Sequence, residues 1–350
     1  MPCISIIGAS GAVGTTLASQ ILRSSLLNAG DRLQLVAREA ESNPAKLLSV
    51  RIDLMDAFDD EGVDIEVVAN VEDVDGNIVV ICAGITSGDK LIDRRDWGRS
   101  NLALYEQIAA VCAQRLPDSR YIIVSNPVEL AVKIFSEKLG RERVIGMGAE
   151  QDSLRFSRAI AHDLGISRHH VCASVLGEHG QAMVPLWSSV ELGLSDPNLL
   201  DALAELRAKS CAAPLEQRVA DLKASVLHLI EAELVNEAYE VTRQALPDVR
   251  IFVQPLITWR TMRSTPNATA NATLRFLKAM LAQNHRPLHG QVLLHGELNN
   301  IHGVCGVPLE VDSDGWKFGG PLTLASDEEV RLCNAAASIE SYISEVRRAD

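Results

Sequence analysis

The sequence predicts an α/β protein with a doubly wound parallel sheet, followed by a second part of mixed α+β structure. Short apolar runs alternate with helix-type stretches over the first 147 residues, which is typical of βαβ units. The run at 77–84 is apolar throughout, as expected of a parallel strand covered on both faces. The first such run, 3–7, leads directly into a glycine-rich turn.

That turn contains Gly8, Gly11 and Gly14, and an apolar-periodic stretch follows it at once. Strand, turn and helix in this order predict a dinucleotide site. Gly8 permits the turn, Gly11 lets the backbone approach a pyrophosphate, and Gly14 lets the helix pack close to the strand. The phosphates would lie at the positive end of the helix. An ordinary glycine turn is the alternative.

The remaining elements follow in chain order, with the first domain over 1–147 and the second over 148–350. We predict strands at 32–38, 63–68, 77–84, 121–124, 144–146, 171–176, 288–294 and 302–311, and helices at 43–56, 201–212, 215–245, 268–282 and 326–347. Asn43-Pro44 has the pattern of an N-cap followed by Pro at the first helical position.

The second strand ends in Ala37 and Arg38, where NAD-binding folds place an Asp or Glu on the adenosine ribose. A missing carboxylate removes repulsion toward a 2′-phosphate, and a guanidinium can grip that phosphate. The hypothesis is therefore a preference for NADP, with NAD still possible. Glu39 and Glu41 lie close enough to weaken it, and Arg38 could be a solvated loop charge.

The 350 residues are 47% hydrophobic and 23% charged, which predicts a globular protein. A formal net charge of -13 argues against nucleic acid as a partner. Seven cysteines without CxxC pairs, and a start that leads straight into a strand, indicate a reducing, cytoplasmic location. No stretch has membrane-spanning length, and no metal-ligand spacing is present.

Polar residues follow the strand ends where open α/β sheets bind ligands. The segment 85–100 carries Arg94 and two further arginines, which predicts an anion-binding lid, although a charged helix start is the alternative. Asn126 follows another strand, either as a turn residue or as an amide that holds ribose or substrate.

Asp152 and Arg155 are three residues apart and share a helix face; alone they would form an exposed ion pair of little value. His179 lies between glycines, which leaves room for a ligand to approach its ring. A lone histidine is more often structural, but here a carboxylate, arginines and a predicted cofactor site accompany it.

In this order and spacing, the motifs resemble the lactate/malate dehydrogenase family. They are GASGAVG at 8–14, the lid with Arg94-Arg95-Asp96 and Asn101, Ser-Asn-Pro at 125–127, DSLRF at 152–156, GEHGQAMVP at 177–185 and GVCGVP at 303–308. The GASG turn and the Ala-Arg-Glu at 37–39 are most similar to archaeal-type NADP-using malate dehydrogenases. The resemblance implies a Rossmann-type first domain and a homodimer or homotetramer.

It also implies roles for individual residues. His179 would relay a proton and Asp152 would orient its imidazole, while Arg155 would clamp the C1 carboxylate of a 2-hydroxy or 2-oxo acid, malate first. Arg94 would polarise the reacting carbonyl, and Asn101 and Asn126 would contact substrate and cofactor. The implied cofactor-binding set is Gly8, Ser10, Gly11, Ala12, Val13, Gly14, Arg38, Asn101, Val124 and Asn126.

The chain departs from the family in the lid. Gly88 stands where malate enzymes carry a second arginine for the far carboxylate, and the Gln of lactate enzymes is missing too. Lys90 or Arg263 could replace that arginine, and residues 246–255 look inserted in the pocket wall. Activity on lactate or a bulkier 2-oxo acid therefore remains open.

Two further alternatives come from other classes. An NAD-dependent glycoside hydrolase of related fold would need a Cys/His metal site, and Ser125-Asn126-Pro127 offers no cysteine at the expected place. A non-catalytic cofactor sensor would have no need of Asp152 and His179.

Overall fold

A computed structural model describes residues 1–37, 44–85, 94–262, 264–282 and 287–348, without the side chains of Pro44, Arg94, Arg95 and Ala282. The strands within these ranges are β1 (Cys3–Ile7), β2 (Arg32–Val36), β3 (Asp64–Val68), β4 (Ile78–Ile81), β5 (Arg120–Ile123), β6 (Val144–Gly146), β7 (Val171–Gly177), β8 (Met183–Leu192), β9 (Leu288–His295), β10 (His302–Asp312) and β11 (Gly315–Phe318).

The helices are α1 (Ala12–Arg23), α2 (Pro44–Phe58), α3 (Arg94–Arg115), α4 (Val128–Leu139), α5 (Gly148–Asp163), α6 (Pro197–Ser210), α7 (Leu215–Glu231), α8 (Val235–Gln244), α9 (Pro247–Met262), α10 (Pro266–Ala282) and α11 (Ser326–Arg348). Short 3₁₀ turns connect several of these elements.

All the described strands belong to one sheet, in the order β3-β2-β1-β4-β5-β6-β9-β10-β7-β8, with β11 paired to β10. The six strands from β3 to β6 are parallel. The remaining pairs are antiparallel. The predicted α/β class with a doubly wound parallel sheet is confirmed.

The central strands β1 and β4 are buried on both faces, which explains the continuous apolar sequence of β4. Successive side chains of a strand point to opposite faces. Ile6 accordingly joins one core cluster, together with Leu17 and Phe276, whereas Ile7 joins the other, together with Tyr105. Helices α1 and α10 cover the first face, and α3 and α4 cover the second.

The predicted domain boundary, between residues 147 and 148, falls between β6 and α5. The sheet crosses it, because Gly146 of β6 pairs with Gln291 of β9. Strands that carry the nucleotide site and strands that carry the second half are thus parts of one hydrogen-bonded layer.

The structure differs from the predicted elements in three places. The single helix predicted at 215–245 is two helices, α7 and α8, separated where Glu233 adopts φ 61°. Residues 247–255 of the stretch interpreted as an insertion lie in helix α9, and the sequence patterns predicted no helix there. Strands β8 and β11 were not predicted; β8 is the terminal strand of the sheet order, where its Pro185 is tolerated.

In the described part of the chain, no helix combines the length and apolar character needed to cross a bilayer.

Candidate active site

The glycine-rich turn forms a close-fitting cradle between β1 and α1. A Cβ at Gly8 would lie 2.6 Å from the backbone nitrogen of Ala83, and one at Gly14 would lie 2.5 Å from the carbonyl oxygen of Gly8. Gly8 also has φ +90°, a conformation that side chains other than glycine rarely adopt. These positions therefore hold glycine because backbone occupies the space of a side chain.

The N-terminus of α1 faces a cavity of about 700 Å³. Gly11 caps the helix without any side-chain hydrogen bond, and Ala12, Val13 and Gly14 line the cavity together with Gly8. Backbone N–H groups at a helix N-terminus attract phosphate. The cradle therefore fits the pyrophosphate of a dinucleotide.

The other residues predicted to bind the cofactor differ in whether they line this cavity. Val124 and Asn126 line the same cavity at the carboxyl end of β5, whereas Ser10 is not among its lining residues. Ala37, the last described residue of the second predicted strand, is 5% exposed. Arg38, which carried the NADP hypothesis, lies outside the described residues.

Asp152, Arg155 and His179 come together at one point of this cavity. The Oδ2 atom of Asp152 lies 2.7 Å from Nδ1 of His179, and its Oδ1 atom accepts a hydrogen bond of 2.9 Å from Nη1 of Arg155. The carboxylate side chain is 1% exposed, against 14% for His179 and 18% for Arg155. The buried acid thus holds two partners that both reach the cavity wall.

Burial by itself would raise the pKa of Asp152, because desolvation penalises the charged form. The positive charges and hydrogen bonds of His179 and Arg155 outweigh that effect and lower the pKa below its ordinary value. Asp152 is therefore a carboxylate at neutral pH.

Two features position His179. Gly148, the first residue of α5, lies directly beneath the ring: a Cβ there would be 2.5 Å from Cγ of His179. Glu129 of α4, fully buried, accepts a hydrogen bond of 2.7 Å from the backbone N–H of His179. Sequence reasoning missed Glu129, although a lone carboxylate beside Leu130 and Ala131 in an apolar helix was a usable signal.

Arg155 is held from its other side by residues that sequence reasoning also missed. Its Nη2 atom lies 3.4 Å from Oγ1 of Thr265, and Gln151 donates to the same oxygen at 3.0 Å. Two of the guanidinium's nitrogens are thereby fixed in direction. A planar fork held in this way suits a carboxylate ligand.

The two predicted asparagines differ in their surroundings. Asn126 reaches the cavity and precedes Pro127 through a cis peptide bond, and its carbonyl oxygen accepts a 2.7 Å hydrogen bond from Tyr105. Asn101 is fully buried: its Oδ1 accepts from the backbone of Ile85 at 2.7 Å, and its Nδ2 donates to Ile85 and Trp97. Its amide therefore anchors the start of the lid segment.

Residues 86–93 of the predicted lid, including Gly88 and Lys90, lie outside the described residues, as does Arg263. Residues 94–100 of the lid belong to helix α3. Arg94 begins helix α3, but its side chain is not described. The predicted contact of Arg94 with a substrate carbonyl therefore stays a prediction.

Helix α9 supplies the far wall of the cavity, whose volume is about 700 Å³. Its contribution is apolar and includes Phe252, Leu256 and Trp259, with Met183 on the opposite strand. Among the described residues that line the cavity, Arg155 is the only Arg or Lys. The described side chains likewise include no group of three or more His, Cys, Asp or Glu placed to hold a metal ion.

A phosphate cradle and a histidine–carboxylate pair in one cavity define a class of protein, the dinucleotide-dependent oxidoreductases. Comparison with known proteins narrows this class. The family model for the lactate/malate dehydrogenase NAD-binding domain matches residues 3–146. A malate dehydrogenase of Methanosphaera stadtmanae is 31% identical over 354 aligned residues, covering 99% of this chain and 98% of that one.

The chain belongs to the lactate/malate dehydrogenase family. It is also 26% identical to an L-2-hydroxycarboxylate dehydrogenase (NAD(P)+) of Methanocaldococcus jannaschii, covering 98% of this chain and 99% of that one. The solved malate dehydrogenase of Aeropyrum pernix superposes with a TM-score of 0.74 at 25% identity, covering 98% of this chain and 97% of that one. The resemblance seen in the motifs is confirmed, and the cofactor is a nicotinamide dinucleotide.

Proposed function

We propose that this protein interconverts a 2-hydroxy acid and its 2-oxo acid by hydride exchange with NADP(H) or NAD(H), with malate and oxaloacetate as the first pair. The observation that carries the proposal is the meeting of His179, Asp152 and Arg155 in the cavity that also contains the glycine cradle. The malate and 2-hydroxycarboxylate dehydrogenases among its relatives support it.

In the oxidative direction, the hydroxyl proton of the substrate must leave as hydride leaves C2. Because Nδ1 of His179 is bound to Asp152, the exchanged proton is carried by Nε2. The adjacent carboxylate stabilises the imidazolium that forms. In the reductive direction, the same imidazolium returns the proton to the carbonyl oxygen. The nicotinamide, when bound, accepts or supplies the hydride.

Arg155 orients the substrate by gripping its C1 carboxylate. Since Asp152 and Thr265 fix the guanidinium, little conformational freedom is lost when the carboxylate binds. Gripping C1 also places C2 next to His179, because Asp152 holds both side chains.

Replacement of His179 tests the proposal. We expect His179→Gln to lower kcat by about 10² to 10⁴, the usual worth of general acid–base catalysis, with an unchanged Kd for the reduced cofactor. His295→Gln, a change at an exposed histidine, is the matched control. Near-normal turnover of His179→Gln with every 2-oxo acid tried would refute the mechanism.

A bulkier, apolar 2-oxo acid is the second candidate substrate, and the wall formed by α9 favours it. A four-carbon diacid needs a second cation for its far carboxylate, because a buried unpaired charge is costly. The described lining supplies only Arg155, which the first carboxylate uses, and surrounds the remaining space with Phe252, Leu256 and Trp259.

A substrate panel separates the two candidates. If α9 contacts the substrate, kcat/KM for 4-methyl-2-oxopentanoate should exceed that for oxaloacetate by about tenfold or more. Leu256→Ala should then lower the value for the branched acid, whereas Leu234→Ala, at an exposed site, should not. A clear preference for oxaloacetate would instead indicate that a cation outside the described residues binds the far carboxylate.

NADP is the proposed preferred cofactor, with Arg38 on the 2′-phosphate. The absence of a carboxylate at Ala37 supports this preference. Arg38→Gln should weaken NADPH binding and leave NADH binding unchanged. Equal or NADH-favouring Kd values for the unaltered protein would remove the role given to Arg38.

A homodimer or homotetramer is the proposed assembly, which light scattering can measure.

A further inference from the structure

The strands that lead to the active-site side chains are not neighbours in the sheet. β6 leads into α5, which carries Asp152 and Arg155, whereas β7 leads to His179. β9 and β10 lie between β6 and β7 in the strand order. The position of Asp152 relative to His179 therefore depends on how these four strands are paired.

One row of residues crosses all four strands. Gly146 of β6 pairs with Gln291 of β9, which pairs in turn with Gly306 of β10. Gly306 pairs on its other side with Gly177 of β7. Gly146 lies two residues before α5, and Gly177 lies two residues before His179. Of the four residues in this row, only Gln291 has a side chain.

The neighbouring glycines leave room for the side chain of Gln291. A Cβ at Gly146 would lie 3.0 Å from Cβ of Gln291, and one at Gly306 would lie 3.3 Å from its Nε2 atom. Both distances are shorter than ordinary van der Waals contact. Gln291 itself is fully buried. The row is thus packed around a single amide.

The amide binds the first turn of α5. Oε1 of Gln291 accepts a hydrogen bond of 3.1 Å from the backbone N–H of Ala149, the second residue of the helix. The first N–H groups of a helix have no partner within the helix, and Met147 at the N-cap makes no side-chain hydrogen bond. Gln291 therefore caps α5 from another strand.

A polar side chain at this position also has a cost. Within the described part of the chain, Nε2 of Gln291 is buried and has no hydrogen-bond partner. An unsatisfied buried donor lowers the free energy of unfolding. The residues that follow in β9, Val292 to Leu294, are apolar. The bond from Ala149 to Oε1 is thus the stabilising contact that distinguishes glutamine from an apolar residue here.

We propose that Gln291 is a positioning residue for the proton transfer: it fixes the first turn of α5, and with it Asp152, relative to His179. Gly148 belongs to the same turn and lies directly beneath the imidazole, so a shift of the turn changes both contacts of the ring. This role rests on the proposed function.

The role predicts that kcat and KM respond differently. Asp152 and Arg155 lie on the same helix and share a hydrogen bond of 2.9 Å, so they move together when α5 shifts. The substrate carboxylate is then still gripped. Proton transfer, however, depends on the 2.7 Å contact between Asp152 and His179, which are carried by different strands. Loss of the Gln291 amide should therefore lower kcat and leave KM nearly unchanged.

Replacement of Gln291 tests this role, with the 2-oxo acid of highest kcat/KM as substrate. Gln291→Met keeps the length of the side chain and removes the oxygen that accepts from Ala149. We expect kcat to fall about tenfold or more, with KM and the Kd of the reduced cofactor within about twofold of their original values. Gln291→Asn, whose amide is one methylene shorter, should show the same split. Gln291→Glu keeps an acceptor oxygen at the helix N-terminus and should retain most of kcat.

Gln34→Met is the matched control. Gln34 is also a buried strand glutamine, 2% exposed, but it belongs to β2. Thermal unfolding of every variant is measured first, and Gln34→Met should lose stability while keeping kcat. In the His179→Gln background, Gln291→Met should cause no further loss of kcat, because its effect acts through the imidazole.

A normal kcat in folded Gln291→Met and Gln291→Asn would overturn the role. So would an equal loss of kcat in Gln34→Met, or a full further loss in the His179→Gln background. If Gln291→Met does not fold, the Asn and Glu variants decide by the same criteria. If the unaltered protein turns over no 2-oxo acid, the proposed function fails and this role with it; if it does and the Gln291 variants keep their kcat, only this role is wrong.

Discussion

At the scale of single residues, Asp152 holds both the side chain proposed to bind the substrate and the side chain proposed to transfer the proton. One carboxylate oxygen holds the imidazole of His179, and the other holds the guanidinium of Arg155. A single buried group thereby fixes the group that moves a proton relative to the group that grips the substrate. Mutations around Asp152 should consequently separate catalysis from cofactor binding.

Asp152→Asn keeps the shape of the side chain but removes its charge. We expect kcat to fall by about 10² to 10⁴, because the imidazolium loses its stabilising carboxylate. The Kd of the reduced cofactor should stay unchanged, since the cradle at Gly8–Gly14 is separate. Asp201→Asn, at an exposed position, is the control. An Asp152→Asn enzyme of near-normal kcat would contradict the role given to this carboxylate.

Gly148→Ala tests the packing beneath the imidazole. The new Cβ would meet Cγ of His179 at 2.5 Å, so the ring must leave the position in which Nδ1 bonds Asp152. We expect a large loss of kcat with cofactor binding retained, measured by steady-state kinetics and fluorescence titration. Gly193→Ala serves as the matched control, because its nearest contact would be an ordinary 3.7 Å. Equal activity of the two variants would show that the ring is not held from below.

At the scale of elements, hydrogen bonds at the first turn of α9 hold this helix in the cavity wall. Asp248, 3% exposed, accepts two hydrogen bonds from Arg218 of α7 at 3.0 and 2.7 Å, and another from Trp187 of β8 at 3.3 Å. Val253 and Ile257 are fully buried against α7 and α8. The wall is therefore positioned by three other elements.

Arg218→Met should damage both stability and substrate binding. Removing one partner leaves Asp248 buried without its cation, which costs about 3 kcal/mol of the free energy of unfolding. We expect a raised KM for the 2-oxo acid as α9 moves, measured alongside chemical denaturation. Arg243→Met breaks the exposed pair with Glu240 and should change the free energy of unfolding by less than about 1 kcal/mol. Similar effects of both changes would remove this role of the α7–α9 ion pair.

At the scale of the whole molecule, buried charges connect elements that lie far apart in the chain. Glu150 of α5 is 2% exposed, binds Arg275 of α10 at 2.5 Å and accepts the backbone N–H of His289 at 3.0 Å. Burial would raise the pKa of Glu150, but its bonds and the charges of His289 and Arg275 outweigh this and lower it. The free energy of unfolding should accordingly decrease when Glu150 is protonated at acid pH.

A carboxyl group with a lowered folded-state pKa stabilises the fold above its unfolded pKa, about 4.3 for Glu, and loses that contribution as pH falls through the folded value. Glu150→Gln should therefore be less stable at neutral pH and lose less stability on acidification below about pH 4. Denaturation series at several pH values measure this, with the exposed Glu106→Gln as control. An unchanged acid slope in Glu150→Gln would contradict the linkage.

Sequence patterns predicted most of the secondary structure, but a helix break, helix α9 and strand β8 escaped them for physical reasons. Residues 232–234 contain no Gly or Pro, so the helical pattern continues through the break that Glu233 makes at φ 61°. Pro255 lies inside α9 and disfavours a helix locally, yet tertiary contacts hold it there. Pro185 similarly obscured β8, which lies at a sheet edge.

The sequence by itself determined the α/β class, the glycine cradle and the identity of the His179, Asp152 and Arg155 cluster, because strand period, turn chemistry and motif spacing are local properties. Only the tertiary structure decided that Glu129 and Gly148 position the imidazole, that α9 closes the cavity with apolar side chains, and that Gln291 of β9 binds the first turn of α5. Those facts depend on contacts between elements far apart in the chain, and no local pattern encodes which helix packs against which.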